Sequence, residues 1–449
     1  MDLTTLIPMF GGTLWTVFFF IIALSVVIAI HEYGHFIVGK KSGIFPEVFS
    51  LGFGPVLWSR VDRDGTKWQI AAIPFGGYVK FRGDANASGG VDGEVVEALD
   101  DAERRQTMQG APLWARTATV AAGPIFNFVL SAILFTAIFM YRGVTADPLV
   151  ISELKPVPFT QELQEGDQIL AIEGQDLPSA EDGVAYSAFM ADLPLQPVLD
   201  YTVLRDGREM VVQGPYFQAP IAGSIQPRSA AMDAGLRAGD VITALNGEPV
   251  FAFTQLPEVI EASEGAPADL TVWRDGETLN LTLSPRRVDE PQAEGGFKTV
   301  YRIGVGSGLL FVPDTVTPGF FEAVWGSVNQ VWRVISSSLS GLYHIVTGQI
   351  STCNLSGPVG IAQASGDMAS QGILPFIGFI AMISTAIGLL NLFPIPALDG
   401  GHLMFYAYEA LRGEPPSDGV LNVMMSVGIV IVLGFMAFGL TNDIALCRP

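Results

Sequence analysis

Four long runs without a charged side chain, residues 14–30, 117–141, 372–398 and 419–441, constrain this chain more than any other feature. Each approaches or exceeds the roughly 20 residues with which an α-helix crosses a bilayer. Charged residues make up 15% of the chain, where a soluble domain carries about a quarter. The formal net charge of −21 argues against a nucleic-acid partner, which basic patches would bind. The first run reads as a retained span rather than a cleaved leader: its N-terminal flank holds Asp2 but no Lys or Arg, and no small-residue cleavage site follows.

Lys40 and Lys41 follow the first run, and Arg60, Arg63, Lys67, Lys80, Arg82, Arg104, Arg105 and Arg116 share the loop after it. The positive-inside rule places that loop in the cytoplasm. Alternation then puts the N-terminus, residues 142–371 and the C-terminus outside, and Arg412 inside. A weaker stretch, 319–350, carries Phe321, Trp325, Val328, Trp332, Ile335 and Leu339 at helical spacing, with Glu322 and Arg333 among them. It reads either as an amphipathic helix on the outer membrane face or as a packed helix of a soluble domain. The two cysteines, Cys353 and Cys447, form no CxxC pair, which leaves no thiolate zinc or redox motif. A disulfide between them requires that both face an oxidising compartment.

The outer segment contains a repeat. The pattern Gly-Asp-x-Ile-x-x-Ile/Leu-x-Gly occurs at 166–174 and again at 239–247, and each copy is followed by an Arg-Asp-Gly turn, at Arg205 and at Arg274. Two copies of one module therefore follow each other. The pattern resembles PDZ domains of the bacterial protease type, which bind chain ends or extended segments by adding a strand to a sheet edge. By that analogy Gly223, Ser224 and Ile225 begin the strand at the edge of the second copy.

The chemistry lies in the membrane runs. His31 and His35 are four positions apart, so on a helix both imidazoles reach one ion, and Glu32 beside them is a candidate general base for a zinc-activated water. Ionisable residues at the end of an apolar span are costly and point to function. Catalytic zinc takes a third protein ligand and keeps an open position. Asp399, at the end of the third run, is the best candidate, since the deduced topology puts it at the same depth as the histidines. Pro394 and Pro396 just before it forbid a regular helix there.

His31-Glu32-Tyr33-Gly34-His35 in the first run, Ala122-Gly123-Pro124-Ile125-Phe126-Asn127-Phe128 in the second, the tandem modules, and Asn391-Leu392-Phe393-Pro394-Ile395-Pro396-Ala397-Leu398-Asp399-Gly400-Gly401 in the third together resemble the RseP-type site-2 proteases. The resemblance implies one zinc ion per chain held by His31, His35 and Asp399, with Glu32 as the base. It implies that Asn391, Pro394 and Pro396 hold the substrate, and that Asn127 and Gly54 support the site. Two further stretches, Phe49 to Pro55 and Ile73 to Lys80, flank an Asp64-Gly65 turn and read as a β-hairpin. In such proteases this region is membrane-associated and pairs with substrate. The implied substrates are single-span membrane proteins, such as a trimmed anti-sigma factor or a remnant signal peptide. The implied location is a bacterial inner membrane, with the PDZ pair on the periplasmic side and the active site toward the cytoplasm. The rival reading is a non-enzymatic PDZ membrane adaptor.

The expected architecture is a polytopic α-helical membrane protein with four transmembrane helices, a membrane-associated β-hairpin and two β-rich PDZ domains. Its divisions are a first membrane half at 1–142, PDZ domains at 143–218 and 219–290, a linker with an amphipathic surface helix at 291–371, and a second membrane half at 372–449.

Overall fold

The computed structural model describes residues 12–84, 99–179, 182–227, 229–291 and 297–446; Cys447 lies outside them. Two compact units emerge. One comprises the chain through Ile138, Phe320–Tyr343 and the chain from Leu355 onward. The other comprises Phe139–Gly319 and His344–Asn354.

In the first unit, α1 (Gly12–Lys41) runs for 30 residues and ends in Lys40 and Lys41. Two long strands follow, β1 (Pro46–Val61) and β2 (Lys67–Phe81). Their register shows that each is folded on itself. Residues 67–70 pair both with 48–51 and with 58–61, while 46–51 also pair with 77–81. Two strands thus supply four runs in the order 53–61, 67–73, 46–51, 77–81, with the two outer pairings antiparallel and the central one parallel. The fold-back needs glycine: Gly52 and Gly54 take φ of +87° and +84°, and a Cβ on Gly52 would lie 2.8 Å from the Ile73 carbonyl oxygen. The turn between β1 and β2 is closed by the Asp62 side chain, which accepts from the Asp64 and Thr66 amides. Then α2 (Leu113–Arg142) runs for another 30 residues, with Pro124 inside it.

The second unit opens with β3 (Val144–Thr145), β4 (Ile151–Leu154), β5 (Gln168–Ile172), β6 (Gln175–Asp176), α3 (Gly183–Asp192), β7 (Val198–Arg205) and β8 (Arg208–Pro215). It continues with β9 (Ala222–Ile225), α4 (Ala230–Asp233), β10 (Val241–Leu245), β11 (Glu248–Pro249), α5 (Gln255–Ala262), β12 (Ala268–Arg274) and β13 (Glu277–Leu283). Two four-stranded sheets result, ordered β6-β5-β7-β8 and β11-β10-β12-β13. The repeated sequence pattern has a physical reason. Asp167 is fully buried, and Arg205 forks onto both its carboxylate oxygens at 2.7 Å. In the second copy Arg274 does the same to Asp240 at 2.6 Å. The Asp of the Gly-Asp pattern and the Arg of the Arg-Asp-Gly turn are therefore one buried ion pair, used twice.

Residues 297–316, assigned to a linker by sequence, instead carry strands. A hairpin of β14 (Arg286–Pro291) and β15 (Phe297–Arg302) leads into β16 (Val305–Ser307), β17 (Phe311–Pro313) and β18 (Thr315–Val316), which pair with β9, β4 and β3 respectively. This corrects the expectation for Gly223, Ser224 and Ile225. The segment is not a free edge, because β16 covers one side of it and the start of β10 meets it at the Ile221–Val241 bridge on the other. Pairing across some eighty residues leaves no local signature. Asp289 on the hairpin also accepts from the Ser351 amide at 2.7 Å and from Asn354 Nδ2 at 2.8 Å, and Cys353 between them is disulfide-bonded.

Five helices complete the chain: α6 (Phe320–Val346), α7 (Pro358–Ser370), α8 (Ile373–Asn391), α9 (Asp399–Arg412) and α10 (Asp418–Thr441). With α1 and α2, helices α8 and α10 make four among the described residues that are long and apolar enough to cross a membrane. The third apolar run stops being helical at Asn391, and residues 392–398 are irregular, as Pro394 and Pro396 require. In α6, Ala323, Ser327 and Val331 are buried and Ser327 bonds Thr136 of α2. Phe321, Trp325, Trp332 and Tyr343 stand exposed.

Breaking one of the twin ion pairs strands a buried charge. Asp240→Asn or Arg274→Gln is expected to destabilise its module by about 3 kcal/mol. Limited proteolysis should then cut residues 219–290 sooner than in the unaltered protein; equal protection would show the pair to be dispensable.

Candidate metal centre

His31 and His35 project from one side of α1, one turn apart, as their spacing dictates. Asp399 arrives from the far half of the sequence as the first residue of α9. The two Nε2 atoms lie 3.2 Å apart, and Asp399 Oδ2 lies 3.2 Å from His31 Nε2 and 3.5 Å from His35 Nε2. This is the one group of three or more His, Cys, Asp or Glu among the described residues that could hold a metal ion.

The spacing fits a divalent ion. Ligands bonded at about 2.0–2.1 Å in tetrahedral geometry stand roughly 3.3 Å from each other. The protonation pattern fits as well. His35 Nδ1 is 2.8 Å from the Thr119 carbonyl, to which it donates, so its Nε2 carries a bare lone pair. The Asn127 amide, fully buried, meets His31 Nδ1 at 3.2 Å through its nitrogen, which leaves Asn127 Oδ1 without a partner. Turning that amide over places Oδ1 on Nδ1–H, satisfies both groups and bares His31 Nε2. Asp399 Oδ2 is likewise buried without a hydrogen-bond partner. Three electron-rich atoms facing one another in a dry site repel, and a cation between them reverses the sign.

Glycines make room for this convergence. A Cβ on Gly123 of α2 would sit 2.3 Å from His35 Nε2 and 2.8 Å from His31 Cε1. One on Gly34 would sit 2.6 Å from the Ala122 carbonyl oxygen, where α1 and α2 touch. At the start of α9, a Cβ on Gly400 would meet the Phe393 carbonyl oxygen at 2.3 Å, and one on Gly401 the Ile395 carbonyl oxygen at 2.4 Å. The irregular segment 392–398 is thus folded tightly over the helix that begins with Asp399. Farther along α9, Glu409 accepts two bonds from Arg116 of α2, at 2.6 and 3.0 Å, and that guanidinium lies 5.3 Å from the Tyr406 ring. Burial there pushes the Tyr406 hydroxyl up to about 12.

Glu32 lies against the edge run 77–81 of the sheet: its carboxylate accepts from the Val79 amide, and its Cγ would lie 3.2 Å from a Cβ on Gly77. Asn391 ends α8, Pro394 and Pro396 sit in the irregular segment, and Gly54 lies at the fold-back of β1. Sequence reasoning assigned no role to Gly123, Gly400 or Gly401, although all three stand inside the motifs it singled out. It had no access to the Thr119 carbonyl, since every residue has one.

The model of Peptidase family M50 matches residues 19–435. The chain belongs to peptidase family M50. A candidate zinc metalloprotease of Agrobacterium fabrum is 34% identical, covering 95% of this chain and 94% of its own length. Protease RseP of Yersinia pestis is 33% identical over 96% of this chain and 98% of its own. The regulator of sigma-E protease RseP of Escherichia coli is 31% identical with the same coverage. This member of family M50 is a zinc metalloprotease of the site-2 type, with four helices long and apolar enough to cross a membrane among its described residues.

A methyl group on Gly123 would enter the space between the ligand atoms. Gly123→Ala is therefore expected to lose zinc, measured by elemental analysis, while circular dichroism reports intact helices. Gly401→Ala should act more mildly, displacing Asp399 through the Ile395 carbonyl at a cost of about 1–3 kcal/mol. Full zinc content in both variants would contradict the packing argument.

Proposed function

We propose that His31, His35 and Asp399 hold one zinc ion per chain and that Glu32 is the general base of an intramembrane endopeptidase. The observation that carries the reading is the triangle of ligand atoms, 3.2, 3.2 and 3.5 Å on its sides, with a carboxylate next in sequence to one of them. Zinc bound there supplies Lewis acidity to the scissile carbonyl and to a water. Glu32 takes the proton of the attacking water and delivers it to the leaving amine nitrogen. Thr119 and Asn127 keep the two imidazoles in the tautomer that faces the ion.

Asn391, Pro394 and Pro396 line the substrate's path. Proline carries no amide hydrogen, so the irregular segment has carbonyls without helical partners to offer an extended chain. The edge run 77–81 beside Glu32 adds the substrate as a strand, which opens its own helical hydrogen bonds and bares the peptide bond. Gly54 serves by letting β1 fold back. The sheet associates with the membrane, and the exposed face of α6 lies on the outer membrane surface.

The two β modules are PDZ domains on the periplasmic side, and the metal centre faces the cytoplasmic side. The disulfide-bonded Cys353 supports the outer placement, since such bonds persist in oxidising compartments. In the second module a groove of about 450 Å³ runs between α5 and residues 302–305, with Leu256, Ile260, Ile303 and Val305 on its walls. Arg302 at its end is held by Glu290 at 2.8 Å, which tempers any attraction for a chain-end carboxylate. The pair acts foremost as a size gate. Single-span proteins whose outer part is already trimmed pass it, such as an anti-sigma factor or a remnant signal peptide in an inner membrane.

The test compares the unaltered protein with Glu32→Gln. Zinc content should be equal, while cleavage of a model transmembrane peptide should fall by roughly 10²–10⁴-fold. Equal cleavage by both would remove Glu32 from its role.

A further inference from the structure

The tip of the β1–β2 sheet, away from the metal centre, carries a feature the protease reading does not use. Trp58, Arg60, Val61, Asp62, Arg63 and Trp68 line a concavity of about 430 Å³. Register places Arg60 opposite Trp68 and Trp58 opposite Ile70, so these four share one face of the sheet. Trp68 is a fixed wall: its ring packs 4.5 Å from Phe49 and 4.9 Å from Phe36, and its indole N–H donates to Asp62 at 3.0 Å. Arg60 and Arg63 differ in kind. Both are exposed, and neither guanidinium has an ion pair or hydrogen bond among the described residues. Unpaired arginines near Lys67 and Lys40 stand out in a chain of net charge −21.

The depth of this concavity is set by a contact. Lys40, at the end of α1, donates to Asp64 in the turn at 2.6 Å. The turn is thereby tied to the level at which the first span leaves the bilayer. Beside the arginines, Leu57 is 70% exposed, Trp58 53% and Val61 61%, with Val56 also exposed. Tryptophan and arginine at that level are interfacial anchors, and exposed aliphatic side chains there meet acyl chains.

We propose that this concavity binds the phosphate of an anionic phospholipid headgroup in the cytoplasmic leaflet. The guanidinium forks of Arg60 and Arg63 suit a phosphate's oxygens, and the aromatic walls of Trp58 and Trp68 suit the glycerol region above it. A free phosphate would leave the flanking Leu57, Val56 and Val61 unexplained; a lipid accounts for both halves of the surface. The bound lipid pins the run 53–61, and through the four-run sheet it steadies the opposite edge, 77–81, against which Glu32 rests. The proposal rests on the reading of α1 as a span with its Lys40 end at the cytoplasmic surface.

The test uses the full chain in phosphatidylcholine bilayers containing about one-fifth of either phosphatidylglycerol or phosphatidylcholine brominated on its acyl chains. Trp58 fluorescence is isolated by difference from Trp58→Phe. Quenching should be greater with brominated phosphatidylglycerol. The excess should vanish in Arg60→Gln/Arg63→Gln and at about 1 M salt, where screening acts within roughly 3 Å. Equal quenching by the two lipids, or an excess that survives the double substitution, would overturn the site. Loss of the excess on adding inorganic phosphate at constant ionic strength would overturn the lipid as its source. No quenching by either lipid would instead refute the membrane level of the turn. Zinc content is read on the same samples, so a failure of the metal centre registers separately.

Discussion

Three electron-rich atoms brought within 3.5 Å of each other among apolar helices are a liability that one cation would remove, and contacts of α2 and α9 hold them there. Two come from a single turn of α1, which costs the fold little. The third must be delivered across more than 360 positions of sequence, and α9 is the delivering element. Its first turn is wedged under the irregular segment at Gly400 and Gly401, and its far half is clamped to α2 by the Arg116–Glu409 fork. Helix α2 is the common reference. It carries Gly123, where a side chain would press on both imidazoles, and Thr119 and Asn127, which meet the outer nitrogens of those two rings.

The hydroxyl contacts between α2 and α8 belong to the same scheme. Ser131 donates to the Ala381 carbonyl at 2.7 Å, and Ser384 donates to the Asn127 carbonyl at 2.9 Å. Helices in lipid gain little from apolar contact, because the acyl chains are as apolar as they are. Small residues and shared hydroxyls therefore supply the packing between α2 and α8. The sheet of β1 and β2 makes the complementary contribution. By folding each strand back at glycines it presents one edge to Glu32 and carries its basic, aromatic tip to the end of α1.

Sequence by itself determined the four long apolar helices, the helical pair of histidines and the glutamate beside them, the irregular proline segment and the twofold repeat between the second and third apolar runs. These are local in kind: hydropathy, a spacing of four, a missing amide hydrogen, a recurring pattern. They follow from neighbours along the chain, whatever the rest of the molecule does. Asp399 was reachable too, as the carboxylate that ends the third apolar run.

Only the tertiary structure decided what depends on distant partners. It explained the repeat as a buried Asp–Arg pair, returned residues 305–316 to pair with strands laid down 80 to 170 residues earlier, and covered the strand expected to be free. It also gave Gly123 and the Thr119 carbonyl their places at the metal centre. A glycine reports what is absent, and a backbone carbonyl is the same in every residue, so neither declares its partner in one dimension. Their meaning appears when another segment arrives at a distance of a few ångströms, and that arrival is set by the packing of the whole bundle.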